Sequence, residues 1–217
     1  MTRRTQSALG ELDVGPERGL MSSLADARKR FTNELAEADK LLAEVETATA
    51  GLEEFLEGPN TYLLLAGNNS EMRAGSGAYL MAGTVRVVDG EVEVGELRPT
   101  GDIPIARGAV EVADEDLAAR WGWLDIAVDW RNLSPSPRFP ASAELAAAMW
   151  SELENEEVDG VIVLDPVALS AIMGETGPVE LDGRSIGATD VVRELLFDQY
   201  WEEDIDIRRD RLREIAG

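Results

Sequence analysis

Gly58-Pro59 divides this chain into two folding regimes. Proline lacks a backbone N–H and its ring clashes with the preceding helical turn, so a helix arriving at this pair ends there. Ahead of it, Leu24, Phe31, Ala38, Val45 and Leu52 recur every seven residues, with Leu35, Leu42 and Leu56 between them. That spacing predicts one helix from Ser22 or Ser23, either of which can cap it, to about Glu57. Its apolar seam is of coiled-coil type, interrupted by Arg28 and Thr49. Two readings stay open: a long helix packed on its own domain, or one that pairs with another helix or serves as a stalk. Residues 1–20 are polar, carry Gly10, Gly15, Pro16 and Gly19, and read as a flexible tail. The organisation expected is therefore a tail over 1–20, an amphipathic stalk-like helix over 21–58, and a further domain over 59–217.

Beyond Gly58-Pro59 the periodicity changes. Tyr62-Leu63-Leu64-Leu65-Ala66 is a fully apolar strand. A second strand runs from about Ala78 to Val88, turns at Asp89-Gly90 and returns through Val92 to Leu97. Asp-Gly between alternating apolar runs is a strong hairpin signal. Helices follow over 114–121 and from Ala141 to about Glu156, separated by an irregular proline-rich stretch over 125–140. A strand spans Gly160 to Leu164. Asp165-Pro166 then opens another helix, with Asp as N-cap and Pro in the first turn. Gly174 or Gly177 closes it, Val179-Glu180-Leu181 forms a short strand turning at Gly183, and Thr189 or Asp190 starts a helix to about Glu202. A last helix begins near Arg208 and breaks off at Ala216-Gly217, as if the natural domain continued. Alternating strands and helices after a hairpin predict an α/β sandwich with a mixed sheet.

Composition removes whole classes of chemistry. The chain has no cysteine and no histidine, which excludes Ser-His-Asp and Cys-His catalysis and ordinary structural zinc sites. Its 43 acidic and 20 basic residues give a formal net charge of −23, which repels nucleic-acid backbones and anionic membrane surfaces. Lys29 and Lys40 are the only lysines. The many arginines reflect either a composition bias or selection as forks for phosphate and carboxylate. No apolar run reaches the ~20 residues that span a bilayer. What remains is chemistry by carboxylates, arginines, amides and hydroxyls, with a hard cation such as Mg²⁺ as the metal that suits them.

Three loops can carry such chemistry. The first, residues 67–77, follows the apolar strand, and in open α/β sheets ligands bind beyond the carboxyl ends of strands. Asn68, Asn69 and backbone N–H groups can hold oxyanions there, Arg73 supplies positive charge, and Glu71 serves as a base or orients the arginine. The alternative is a structural turn with a Glu–Arg pair. The second loop, Leu97 to Asp102, offers Arg98 and Asp102, or is an ordinary turn. The third, Asp129 to Pro140, offers Arg131 and Asn132, as a ligand lid or a rigid cover over the core. Near the end, Arg208 and Arg209 lie in an alternating charge run whose bland reading is a solvated helix face.

Three ordered segments resemble a bacterial family catalogued as a domain of unknown function, number four-thousand-and-twelve. They are Asn68-Asn69-Ser70-Glu71-Met72-Arg73 with its following glycines, the Trp130-to-Pro140 loop with Ala141-Ser142-Ala143, and Asp159 to Leu169 running on to Val179. Together they cover roughly residues 60–200. The same layout is distantly similar to the LytR-CpsA-Psr phosphotransferases, which move a glycopolymer from a polyprenyl-pyrophosphate lipid onto an envelope acceptor. That resemblance implies the fold of those enzymes, and a pyrophosphate pocket lined by Arg73, Arg98 and Arg208 or Arg209. The transferases carry metal-binding aspartates where this chain has Asn68 and Gly75. The resemblance therefore implies either that Glu71 and Asp102 take over catalysis, or that metal-dependent transfer is lost and a binding scaffold remains. Members of both families are usually held outside the membrane by an N-terminal membrane helix, which implies an extracytoplasmic setting and a chain trimmed within its stalk. A second expectation, of another class, is an assembly module that forms a homo-oligomer through the 22–57 helix.

Overall fold

The computed structural model of the chain describes residues 14–15, 19, 21–181 and 183–198. The tail expected over 1–20 and the helix expected from Arg208 fall almost wholly outside these. Two compact units divide at the predicted punctuation, one ending at Gly58 and the other starting at Pro59.

Among the described residues of the first unit one helix forms, α1, Ser22–Glu57, of 36 residues. Its first turn starts one residue earlier than the serines suggest. Met21, in extended conformation, is the N-cap, and its carbonyl accepts from the N–H groups of Leu24 and Ala25 at 2.9 Å. Glycine at 58, with φ +62°, closes the other end. No α1 residue is buried, and Leu24, Phe31, Val45 and Leu52 are each about half exposed. Among the described residues no helix is long and apolar enough to cross a membrane.

The second unit is α/β, with a mixed sheet as its organising layer. Strand β1, Asn60–Asn68, lies in the middle. On one side it pairs antiparallel with β2, Ala78–Val88, and β2 pairs in turn with β3, Glu91–Val94. The two-residue turn between β2 and β3 puts Asp89 at φ +52° and Gly90 at φ +84°, the left-handed pair that hairpin twist favours. On its other side β1 pairs parallel with β5, Gly160–Leu164. A short strand the sequence does not betray, β4 (Arg98–Pro99), pairs with Met81 and Ala82 of β2. Its Pro99 sits at an edge, where a missing N–H costs no ladder bond.

Helix α2, Glu115–Trp121, is capped by the Asp114 carboxylate, which accepts from Leu117 N at 2.7 Å. Helix α3, Phe139–Glu154, starts with Pro140 in its first turn and ends on Asn155 in the left-handed conformation. The irregular stretch before it holds one 3-10 turn, Trp130–Asn132. Period-two alternation in β1 sends Leu63 and Leu65 to the face that α3 covers. There they join Met149, Trp150 and Trp130 in the main core. Trp130 is fully buried, meets Trp150 edge-on at 6.4 Å between ring centres, and donates its indole N–H to Ile103 O at 2.7 Å. A fold-determining indole of this kind satisfies its polar atom while filling the core.

Past β5 the chain forms α4, Pro166–Thr176, with Asp165 as N-cap and Gly177 at its end. The hairpin of β6, Val179–Leu181, and β7, Arg184–Ile186, follows, and then α5, Val191–Leu196. Met173, Leu181, Ile186, Val191 and Leu195 make a second, smaller core. α5 starts with Asp190 as its N-cap, as expected, but ends at Leu196 with Phe197 as its C-cap, short of the expected Glu202.

Replacing Trp130 by Ala removes the indole from both the core and the Ile103 carbonyl. Denaturant unfolding should then show a loss of ~3–5 kcal/mol. A loss under ~1 kcal/mol would mean that Trp130 does not hold the irregular stretch in place.

Candidate functional site

The three polar loops meet at the carboxyl end of β1, and hydrogen bonds join them. Gly75 N donates to Ser134 O at 3.0 Å, and Ser134 Oγ donates to Gly77 O. Those two bonds clasp the 67–77 loop to the proline-rich loop. Tyr79, buried at the start of β2, donates its phenol to Gly75 O at 2.9 Å, and burial pushes its pKa up to about 12. Thr100, beside β4, donates its hydroxyl to Tyr79 O at 2.9 Å. The second loop is thereby tied to the same strand start.

The glycines of the first loop are sterically required. At Gly75 a Cβ would lie 2.9 Å from Ser136 O, closer than real Cβ atoms come. At Gly77, with φ +84°, a Cβ would collide with the backbone carbonyl of Asn68. Ser76 at φ +73° makes a second left-handed residue in succession, which reverses the chain sharply into β2.

Among the described residues, each polar residue nominated by the sequence has a place. Asn68 is buried, and its side-chain oxygen accepts from Ser70 N at 3.0 Å and Ser70 Oγ at 2.6 Å. It closes an Asx turn. Asn69 donates to Asp165 Oδ2 at 3.3 Å, so the loop after β1 touches the cap of α4. Glu71 accepts from Arg73 Nη1 at 3.0 Å. Arg131 forks onto Asp129 with bonds of 2.9 and 2.6 Å, and Asn132 donates to Leu124 O at 2.8 Å.

Glu71, Arg73, Asp129 and Arg131 form one charge cluster across the first and third loops. The Arg131 guanidinium holds the Asp129 carboxyl below the usual carboxylate range, and Arg73 adds to the effect. Asp129 in turn raises Arg131, with a smaller contribution from Glu71. Two cations and two anions interleave, so the cluster is locally neutral in a chain of net charge −23.

Arg98 is engaged elsewhere. Its guanidinium lies 5.4 Å from the centre of the Trp150 ring and donates to Glu154 Oε1 at 2.5 Å. As Arg98 pairs across from Ala82, a residue of the α3-side core, it faces α3. The expected grouping of Arg73 with Arg98 is thus not what these contacts make. Asp102 is exposed in the 3-10 turn Thr100–Asp102. Arg208 and Arg209 lie outside the described residues.

Mg²⁺ does not fit this donor set. Asn68 offers a neutral amide already committed to Ser70, Gly75 offers no side chain, Glu71 pairs with Arg73, and Asp165 Oδ1 accepts from Ala168 N at 2.8 Å as a helix cap. Among the described residues no three metal-ligating side chains come together.

Beside the polar loops lies an apolar groove that the sequence did not announce. Ala66, Leu80, Met81, Leu164, Leu169 and Leu195 supply most of its wall, with Asn68 and Asp165 at a polar margin. Its cavity of about 50 Å³ is several times the ~10–15 Å³ one water needs. A β-bulge builds it. Ala66 pairs with Met81 and Gly67 with Tyr79, so Leu80 is the extra residue of β2 and turns toward the groove alongside Met81. Bulges depend on pairing between strands, which explains why the linear pattern of β2 gave no sign of this one.

The fold and site define an α/β domain with a small apolar groove at the carboxyl edge of its central strands. The chain belongs to the family described as "Protein of unknown function (DUF4012)", whose model matches residues 57–200. That match contains all three loops and the groove, and starts at the last residue of α1. Neither the curated proteins nor the solved structures gave a match to this chain.

Two outcomes test the geometry. Gly77→Ala should destabilise the domain by roughly 1–3 kcal/mol or more through strain and collision; an unchanged denaturation midpoint would contradict the turn described. For Asp129, a lowered folded pKa means stabilisation present above the unfolded value of ~3.9 and lost as pH falls through the folded value. Asp129→Asn should therefore be less stable than wild type near neutral pH, with the gap closing below about pH 3.9. A gap that widens on acidification would contradict the Arg131 pairing.

Proposed function

We propose that this is an extracytoplasmic, cell-envelope domain that binds a phosphorylated lipid, with hydrocarbon in the groove and the anionic head at the loop after β1. The observation that carries the reading is the groove itself. An apolar cleft opens where β1 and β5 end, with Gly67, Asn68 and Asp165 at its margin, and the loop that starts at Asn68 goes on to carry Arg73. A purely polar ligand would leave the leucine wall unused, and a purely apolar one would leave the arginine unused. The distant similarity to the LytR-CpsA-Psr transferases supports a polyprenyl-pyrophosphate, bare or glycan-linked, as the ligand, and supports the envelope setting.

The charge cluster sets how the head would bind. Arg73 already holds Glu71, so an incoming phosphate competes with that carboxylate for the guanidinium. Arg131 is more tightly held, by two bonds to Asp129. Arg73 is thus the fork an anion can take over at least cost, and phosphate suits it through bidentate charge-assisted bonds. Binding is the function assigned; with Glu71 and Asp165 committed as described, phosphoryl transfer would require Glu71 to leave Arg73 when the head arrives.

Titration with a short-chain polyprenyl pyrophosphate tests this. Arg73→Ala should weaken binding about tenfold or more, because a charge-assisted hydrogen bond contributes ~1.5–3 kcal/mol. Leu169→Asp should weaken it through the chain, and Glu71→Gln should strengthen it by removing the competitor. Equal affinities in all four proteins, or no binding by the wild type, would refute the site.

A further inference from the structure

Helix α1 lies ahead of the groove-bearing unit, and its apolar seam is independent of the ligand reading. Written as a heptad, Leu24, Phe31, Ala38, Val45 and Leu52 occupy d, while Arg28, Leu35, Leu42, Thr49 and Leu56 occupy a. The d residues Leu24, Phe31, Val45 and Leu52 are each 45–56% exposed, although the seam runs the length of a 36-residue helix. Isolated helices gain little stability from propensity alone; most comes from burying an apolar face.

We propose that this face binds α1 of a second copy of the chain, as an antiparallel two-stranded pair. Parallel pairing places each seam residue against itself. It would bury Arg28 against Arg28, oppose Phe31 to Phe31, and leave a gap at Ala38 against Ala38. Antiparallel pairing opposes a to d, and one register satisfies every layer. Phe31 then faces the partner's Thr49, Leu42 faces the partner's Ala38, Leu35 faces the partner's Val45, and Leu56 faces the partner's Leu24. Large residues meet small ones, which is the complementarity that close packing needs. Arg28, whose Nη2 already donates to Gly15 O at 2.7 Å, comes opposite the partner's Leu52 beside the partner's Glu53, where its aliphatic stem packs.

Net charge points the same way. Residues 41–57 hold Glu44, Glu46, Glu53, Glu54 and Glu57 and no basic residue. Residues 22–39 carry Arg28, Lys29 and Arg30 against Asp26, Glu34, Glu37 and Asp39, a net of −1. A parallel pair would stack two segments of −5. The antiparallel pair sets each beside a nearly neutral one.

The absence of native cysteine makes the register directly readable. In the full chain, Leu24→Cys and Leu56→Cys proteins mixed in a glutathione buffer should form a mixed disulfide. Leu24→Cys alone should not self-link, because its two copies would sit about 48 Å apart along the pair. Sedimentation should give twice the chain mass for wild type and the single mass for Leu35→Glu/Leu42→Glu. No α1 residue is buried, so those changes disturb no core: unfolding of the second unit, which holds all five tryptophans and is read from their fluorescence, should match wild type, while α1 loses helicity along with its partner. A monomeric wild type, or self-linking of Leu24→Cys, would overturn the proposal. Neither result bears on lipid binding by the second unit, which the titration of Arg73→Ala reads separately.

Discussion

The clasp between Ser134 and the glycines of the 67–77 loop is the constraint on which the site depends. A loop that leaves a central strand and must return antiparallel within nine residues (69–77) has many shapes open to it. Here Ser134 accepts from Gly75 N and donates to Gly77 O, which selects one. The clasp needs the proline-rich loop to be rigid, and Trp130 makes it so by anchoring in the core and bonding Ile103. It also needs glycine at 75 and 77, where any side chain would strike backbone. The polar margin of the groove is therefore held by the hydrophobic core through a short series of bonds.

From that constraint the division of labour follows. One face of the sheet, through Leu63 and Leu65, joins α3 and carries the stability. At the carboxyl edge of β1 and β5, the bulge at Leu80 and the leucines of α4 and α5 shape an apolar groove. The loop beyond β1 places Asn69 against the cap of α4 and Arg73 in a neutral four-charge cluster. Local neutrality matters in a protein so acidic: without Arg73 and Arg131, the long-range field would repel any phosphate from this edge.

Much of the architecture was legible in the sequence because local signals and global fold agree. Gly58-Pro59 marks the boundary between units, Asp89-Gly90 the hairpin, and Asp165-Pro166 the start of α4, each by its own backbone chemistry. The family was legible from ordered motifs, and its model covers the same stretch. Features made by pairing between distant residues were not legible. Strand β4 is two residues long, the bulge at Leu80 exists only in register with Ala66, and the groove joins residues over a hundred positions apart. Arg98 illustrates the limit: its position after the hairpin is plain, but only the fold reveals that Trp150 and Glu154 hold it. Asn69 shows the reverse case, a loop amide whose reach to Asp165 depends on β1 and β5 lying side by side.

The groove beside the β1 loop is proposed to receive the hydrocarbon of a phosphorylated lipid. Photocrosslinking with a polyprenyl phosphate carrying its reactive group near the head tests this most directly, because it reports position rather than affinity. Adducts are expected on Leu80, Met81, Leu164 or Leu169. Adducts confined to α1 or to the exposed β2–β3 hairpin, or none at all, would contradict it.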